Sequence, residues 1–155
     1  GDAAGRAAMT RSVVTDVLLV AVGGAAGSLL RWGLGHVLPS GSVWHWSTLT
    51  VNVVGALLLG LLLEALTRPG VESRRTHTAR LLLGTGLLGG FTTYSTFAQE
   101  LWEQVRSGDT TQALAYAAVT LVAGLLATAG GMVLGTRLGT RPSSHARGVA
   151  EGPEQ

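Results

Sequence analysis

Five consecutive hydroxyl-bearing residues, Thr92, Thr93, Tyr94, Ser95 and Thr96, follow the glycine pair Gly89-Gly90 with only Phe91 between, and Phe97 closes the run. Adjacent glycines are poor helix-interior residues, each costing about 1 kcal/mol relative to alanine. The run lies in the uncharged stretch 81–99, and polar groups left unpaired in hydrocarbon are costly. One reading is a broken helix whose freed carbonyls bind a cation and whose hydroxyls face a polar path. The other is a glycine contact for close packing, with the hydroxyls bonded back to their own helix. Two further places carry related chemistry. Asn52 stands in an apolar segment; its amide has two N–H donors and serves either such a path or an interhelical hydrogen bond. Tyr116, Thr120 and Thr128 are spaced i, i+4 and i+12, which places them on one helix face, and Gly124 at the missing step admits a close neighbour.

The elements that position these residues follow from composition. Of 155 residues, 23 are glycine and only 13% are charged, against about 25% charged in an average soluble domain, and mean hydropathy is +0.38. This excludes an ordinary water-soluble fold and a disordered chain. The absence of cysteine excludes disulfide frameworks, thiol redox motifs and cysteine-based zinc sites. Every basic residue is arginine, and the arginines cluster between apolar runs, as membrane flanks do; no nucleic-acid partner is expected. Four segments are long enough to cross a bilayer, at 17–38, 47–66, 81–99 and 110–136, given a need for about 20 apolar residues each. The expected fold is therefore an all-α membrane protein of four transmembrane helices, the third broken mid-membrane. Its membrane domain spans 13–139, between loose tails at 1–12 and 140–155.

Nine arginines (Arg6, Arg11, Arg68, Arg74, Arg75, Arg80, Arg137, Arg141, Arg147) fall on one side of a four-span chain, and only Arg31 and Arg106 on the other. Both termini are thus expected in the cytoplasm of a multi-pass cell-membrane protein. Glu64 and Glu100, near span ends, read as solvated. His36 and His45 bracket a short outer connection without metal-ligand spacing. The pairs Gly23/Gly27, Gly86/Gly90 and Gly131/Gly135 read as helix-packing contacts. No catalytic triad, metal-hydrolase site or phosphate loop is present in the sequence, and no enzymatic activity is expected.

The stretch Gly89-Gly90-Phe91-Thr92-Thr93-Tyr94-Ser95-Thr96-Phe97 resembles the third-helix signature of the CrcB/Fluc fluoride channels, G-G-x-T-T-F-S-T-F. Gly23-Gly24-Ala25-Ala26-Gly27-Ser28-Leu29-Leu30-Arg31 resembles the family's first-helix motif. Thr48-Leu49-Thr50-Val51-Asn52-Val53-Val54-Gly55, followed by Gly60, resembles its second-helix motif around a pore asparagine. The likeness runs over about 17–138 in the same order, and three such motifs on one short four-span chain are specific where any one would be weak.

The resemblance implies a dimer of antiparallel subunits with two fluoride pathways and a central, structural Na+. It assigns that ion to the backbone carbonyls of Gly89 and Thr92, two from each subunit. It places Asn52 at the inner end of a vestibule, Tyr116 and Thr120 beside the pore, and aromatic ring edges toward the anion at Phe97 and at position 94, where Tyr94 replaces the family's phenylalanine. Ser95 and Thr96 add hydroxyls to this route, and Arg31 is expected as a packing or electrostatic anchor. The implied function is passive fluoride export that lowers cytoplasmic fluoride, with fluoride, membrane lipid and a second subunit as partners. Because an arginine bias of this size favours one orientation, that subunit is expected to be an oppositely oriented homologue. Two rival readings are a small four-helix proton-coupled multidrug antiporter, which needs a membrane-embedded carboxylate that the middle of the first span lacks, and a non-conducting partner subunit.

Overall fold

A computed structural model describes residues 2–38, 44–66 and 73–139, and within them the backbone is helical with no strand. The elements are α1 (Asp2–Val37), α2 (Trp46–Leu66), α3 (Arg74–Ala79), a π-helical segment (Arg80–Leu88), α4 (Gly89–Phe91), α5 (Ser95–Arg106) and α6 (Thr110–Gly139). Among the described residues three stretches are long and apolar enough to cross a membrane: Ser12–Val37 in α1, Trp46–Leu66 and Thr110–Leu138. The third expected span is divided. Helical backbone runs through α3, the π-helical segment and α4, stops at residues 92–94, and resumes as the 12-residue α5.

Local signals explain these boundaries. Ser73 caps α3 by accepting the Thr76 N–H at 3.2 Å, satisfying one of the donors a helix start leaves open. The turn from α5 to α6 passes through Gly108 at φ 93°, a backbone conformation that glycine adopts without steric cost. The Asp109 N–H returns to the Gln104 carbonyl at 2.9 Å. Helical backbone extends to Asp2, so it covers most of the stretch expected as the leading tail. The tail expected at 140–155, with Arg141 and Arg147, and the position of Arg68 lie outside the described residues.

Two seams build the fold: α2 lies along α6, and α1 lies along the π-helical segment and α4, while α5 packs on α6. Glycines set both close approaches. A Cβ on Gly27 would collide with the Leu87 carbonyl, and one on Gly23 with that of Leu82; one on Gly90 would strike the Gly24 carbonyl. In the other seam, Gly60 faces the Thr128 carbonyl and Gly131 the Leu57 carbonyl in the same way. The three expected small-residue pairs are thus helix contacts, as apolar association without water requires. Gly124 differs from expectation: nothing approaches within 4 Å of its Cβ position, so it leaves open space instead of admitting a neighbour. Outside the seams, Val22, Leu29, Leu114, Leu125 and Leu126 point outward.

Candidate functional site: a polar groove at the helix break

The interruption at 92–94 is built from diverted hydrogen bonds. In a continuous helix the Thr93 N–H would close on the Gly89 carbonyl, and the Thr96 N–H on that of Thr92. Here the Thr93 N–H donates to Asn52 Oδ1 at 2.9 Å, and the Thr96 N–H to Thr93 Oγ1 at 3.2 Å. Thr92 has turned to an extended conformation, φ −73° and ψ 156°. Its own N–H and hydroxyl both donate to the Leu88 carbonyl, each at 3.0 Å, finishing the upstream helix. The Ser28 hydroxyl reaches across from α1 to the Gly90 carbonyl at 3.4 Å. The carbonyls of Gly89 and Thr92 are therefore released from their i+4 donors, while the neighbouring Gly90 carbonyl takes a hydroxyl. Gly89 is exposed and nothing crowds its Cβ position.

Asn52 pins the break. Its Nδ2 donates to the Thr93 carbonyl at 3.0 Å while its Oδ1 accepts the Thr93 N–H, so both backbone groups of a residue only 7% exposed are satisfied by one side chain. Asn52 thus makes the interhelical hydrogen bonds that are one of its two readings from sequence, and these bonds use one of its two amide N–H groups. Asn52, Thr92, Thr93, Phe97, Thr120 and Thr128 line a groove of about 600 Å³, with Gly89 and Gly124 in its wall and Tyr94 at its rim. Tyr94 is 80% exposed. Thr120 is buried, and its Oγ1 has no hydrogen-bond partner.

Other expected residues lie elsewhere. Ser95 is exposed, with its hydroxyl 3.4 Å from Thr93 Oγ1. Thr96, which accepts from Thr93 Oγ1 at 3.0 Å, borders a second cavity of about 490 Å³ together with Arg31, Ser28, Trp32, His36 and Thr48. Thr93 reaches both spaces. Tyr116 is not in the groove wall. It is 1% exposed, behind Phe97 (ring centroids 5.5 Å apart), and donates its hydroxyl to Glu100 Oε2 at 2.9 Å.

That partner corrects a sequence expectation. Glu100 is not solvated: it is 9% exposed, and its other oxygen accepts the Thr48 hydroxyl at 2.5 Å. A buried carboxylate survives when hydrogen bonds replace its water, and two hydroxyls do so here. The sequence held one signal for this, the i+3 spacing from Phe97, which puts Glu100 on the same face of α5. The other half of the arrangement comes from α2, 52 residues away. Trp44 and His45, preceding α2, complete the surroundings of Tyr116, their ring centroids 5.9 and 5.7 Å from it.

Comparison with known proteins matches the part of the chain that holds these residues. The family model described as CrcB-like protein, Camphor Resistance, matches residues 18–132. A protein of Leifsonia xyli named fluoride-specific ion channel FluC 2 is 41% identical over 126 residues, covering 81% of this chain and 87% of that protein. A fluoride-specific ion channel FluC of Thermus thermophilus is 45% identical over 128 residues, 81% of this chain and 94% of its own. That of Sphingopyxis alaskensis is 42% identical over 117 residues, covering 74% and 90%.

Proposed function

The chain belongs to the CrcB-like family, and from that premise we propose that it is a subunit of a fluoride-selective channel through which fluoride leaves the cell passively. The family is one of multi-pass membrane channels, not enzymes. The observation that carries the reading is the groove at the helix break, where an Asn52 N–H, the Thr120 hydroxyl and the ring of Phe97 meet without a fixed positive charge among the lining residues; the Thr128 hydroxyl donates to the Gly124 carbonyl instead. Fluoride is small, strongly hydrated and a strong acceptor; a selective path replaces its water with donors yet lets it go. Neutral amide and hydroxyl donors, with electropositive ring edges, meet both demands where an arginine would hold the ion. A negative-inside membrane potential then drives the anion out.

In this reading the chain crosses the membrane four times, the divided helix making the third crossing, with both termini on the arginine-rich cytoplasmic side. The carbonyls of Gly89 and Thr92 suit a structural Na+, because a hard cation takes oxygen ligands and the break has withdrawn their helix donors. Bound, the ion would neutralise converging carbonyl dipoles and hold two breaks together. Two carbonyls from one chain leave such a cation under-coordinated, which supports a second, antiparallel subunit. The arginine asymmetry favours an oppositely oriented homologue as that subunit. Lipid meets the outward apolar side chains. Buried Glu100 is a feature a proton-coupled antiporter would share, but it stands outside the groove wall with both oxygens accepting hydroxyls.

The test is fluoride efflux from liposomes holding this chain alone or with such a homologue, with chloride as the control. Fast, uncoupled fluoride flux with chloride excluded is expected. Proton-coupled flux of organic cations, or no fluoride flux in either assembly, would overturn the assignment.

A further inference from the structure

The second cavity, of about 490 Å³, is built differently from the groove. Arg31 is in its wall, and no aspartate or glutamate is among its lining residues. The Arg31 side chain makes no hydrogen bond or ion pair among the described residues. Two hydroxyls of the wall also have hydrogens to give. Thr96 accepts from Thr93 Oγ1, which leaves its own O–H unspent, and Ser47 has no hydrogen-bond partner among the described residues. His36 completes the set from the last turn of α1. Its Nδ1 lies 2.8 Å from the Trp32 carbonyl, and a carbonyl only accepts, so Nδ1 carries the hydrogen. Nε2 is then the acceptor of the neutral ring, and it becomes a donor when the ring takes a proton. Histidine is the side-chain type suited to changing charge between about pH 5 and 8.

On the channel reading above, we infer that His36 makes this cavity a holding site for fluoride that strengthens in acid, beside the selective groove. Thr93 borders both spaces, so an anion held here stands next to the groove. With His36 neutral, the anion meets Arg31 and the two hydroxyls but also the lone pair on Nε2. With the ring protonated, the same atom donates a hydrogen bond and a second positive charge joins that of Arg31. The other titratable groups around the ring do not supply this change. Glu100 stands behind Thr48, with both oxygens accepting hydroxyls, and Glu103 and Arg106 lie two turns or more beyond Thr96 on α5. His45 packs on the Tyr116 ring, and the connection 38–45 holds no further titratable residue. Helix α2 has none before Glu64, near its other end. At the break only Tyr94 titrates, and it is at the rim of the groove.

The experiment measures initial fluoride efflux against sodium fluoride concentration, in vesicles with the same pH on both sides. Wild type, His36→Gln and His36→Arg are compared in whichever assembly conducts, and elution volume in detergent shows that each is folded. From pH 7.5 to 5.5 the half-saturating fluoride concentration of the wild type is expected to fall about fivefold, the lower end of ordinary coupling between two sites. His36→Gln should give one value at both pH values, and His36→Arg, with its fixed charge, the acid value at both. Because coupling is reciprocal, fluoride added at pH 6.5 in detergent should raise the protonated fraction of the His36 ring. That fraction is read from the ring's nitrogen resonances, which are assigned by their absence in His36→Gln. A wild type with the same half-saturation at both pH values overturns the inference. So does a His36→Gln variant that keeps the shift, or a ring whose protonation ignores fluoride. Absence of fluoride flux from every assembly overturns the channel reading instead, and the resonances still report on the cavity.

Discussion

Replacing Asn52 by alanine removes both hydrogen bonds that hold the helix break, from Nδ2 to the Thr93 carbonyl and from the Thr93 N–H to Oδ1. Thr93 is buried, so water does not readily take over. A buried group left unsatisfied costs about 1–3 kcal/mol, and two of them give about 2–6 kcal/mol before relaxation. The chain can relieve the cost by returning the Thr93 N–H to the Gly89 carbonyl, which straightens the helix and closes the groove. Fluoride flux is therefore expected to fall by more than tenfold, since each 1.4 kcal/mol is about a factor of ten, and the thermal midpoint in detergent to fall with it. Asn52→Asp separates the two roles. Its carboxylate still accepts the Thr93 N–H, so about half the stability loss is expected, yet a negative charge now lines the groove and flux is expected to fall at least as far as in Asn52→Ala. The comparison needs a fluoride electrode on reconstituted vesicles and a melting curve for each variant. Asn52→Ala at wild-type stability, or Asn52→Asp conducting like wild type, would refute this reasoning.

Three further outcomes are expected. Gly27→Ala drives a methyl into the Leu87 carbonyl, whereas Gly124→Ser adds a hydroxyl where nothing lies within 4 Å; the first should abolish a monodisperse peak in size-exclusion chromatography and the second leave it unchanged. Glu100→Gln replaces one acceptor oxygen by a donor, so that either the Thr48 or the Tyr116 hydroxyl is left facing an N–H; about 1–3 kcal/mol of stability should be lost in thermal melts, with a lower fluoride flux. Exchanging Na+ for N-methylglucamine during purification should dissociate the proposed dimer, read by crosslinking or single-molecule subunit counting, if the Gly89 and Thr92 carbonyls hold that ion.

How far these features are legible in the sequence depends on the distance over which they form. The break is readable because its determinants are contiguous: Gly89-Gly90 weakens the helix, and five hydroxyls offer alternative partners within a few residues. The packing glycines are readable because a four-residue spacing puts small residues on one face. Glu100 misleads because a carboxylate near a span end ordinarily reaches water, and the hydroxyls that bury it come from Thr48 and Tyr116, 52 and 16 residues away. The π-helical segment Arg80–Leu88 has no residue signature to set it apart from α-helix. Its wider turn belongs to the packed state, where Gly86 lies against Val20 and Gly23 of α1. Gly124 suggests a neighbour because small residues in these helices usually have one; its open surroundings reflect a groove that only the assembled chain defines.

The diverted hydrogen bonds at the break also explain why so many polar groups are tolerated together in an apolar chain. Two N–H groups that leave the ladder find side-chain oxygens at once: Asn52 for Thr93, and the Thr93 hydroxyl for Thr96. Interrupting the helix therefore orphans no donor in these pairs. What it releases is acceptors, the Gly89 and Thr92 carbonyls, and acceptors tolerate a missing partner better than donors because a cation can satisfy them. The same exchange ties the proposed ion site to the groove, since Thr93 supplies the N–H that Asn52 accepts and the hydroxyl that caps α5. A change at Thr93 should consequently act on both, whereas a change at Phe97 or Thr120 should alter conduction and leave the carbonyls where they are.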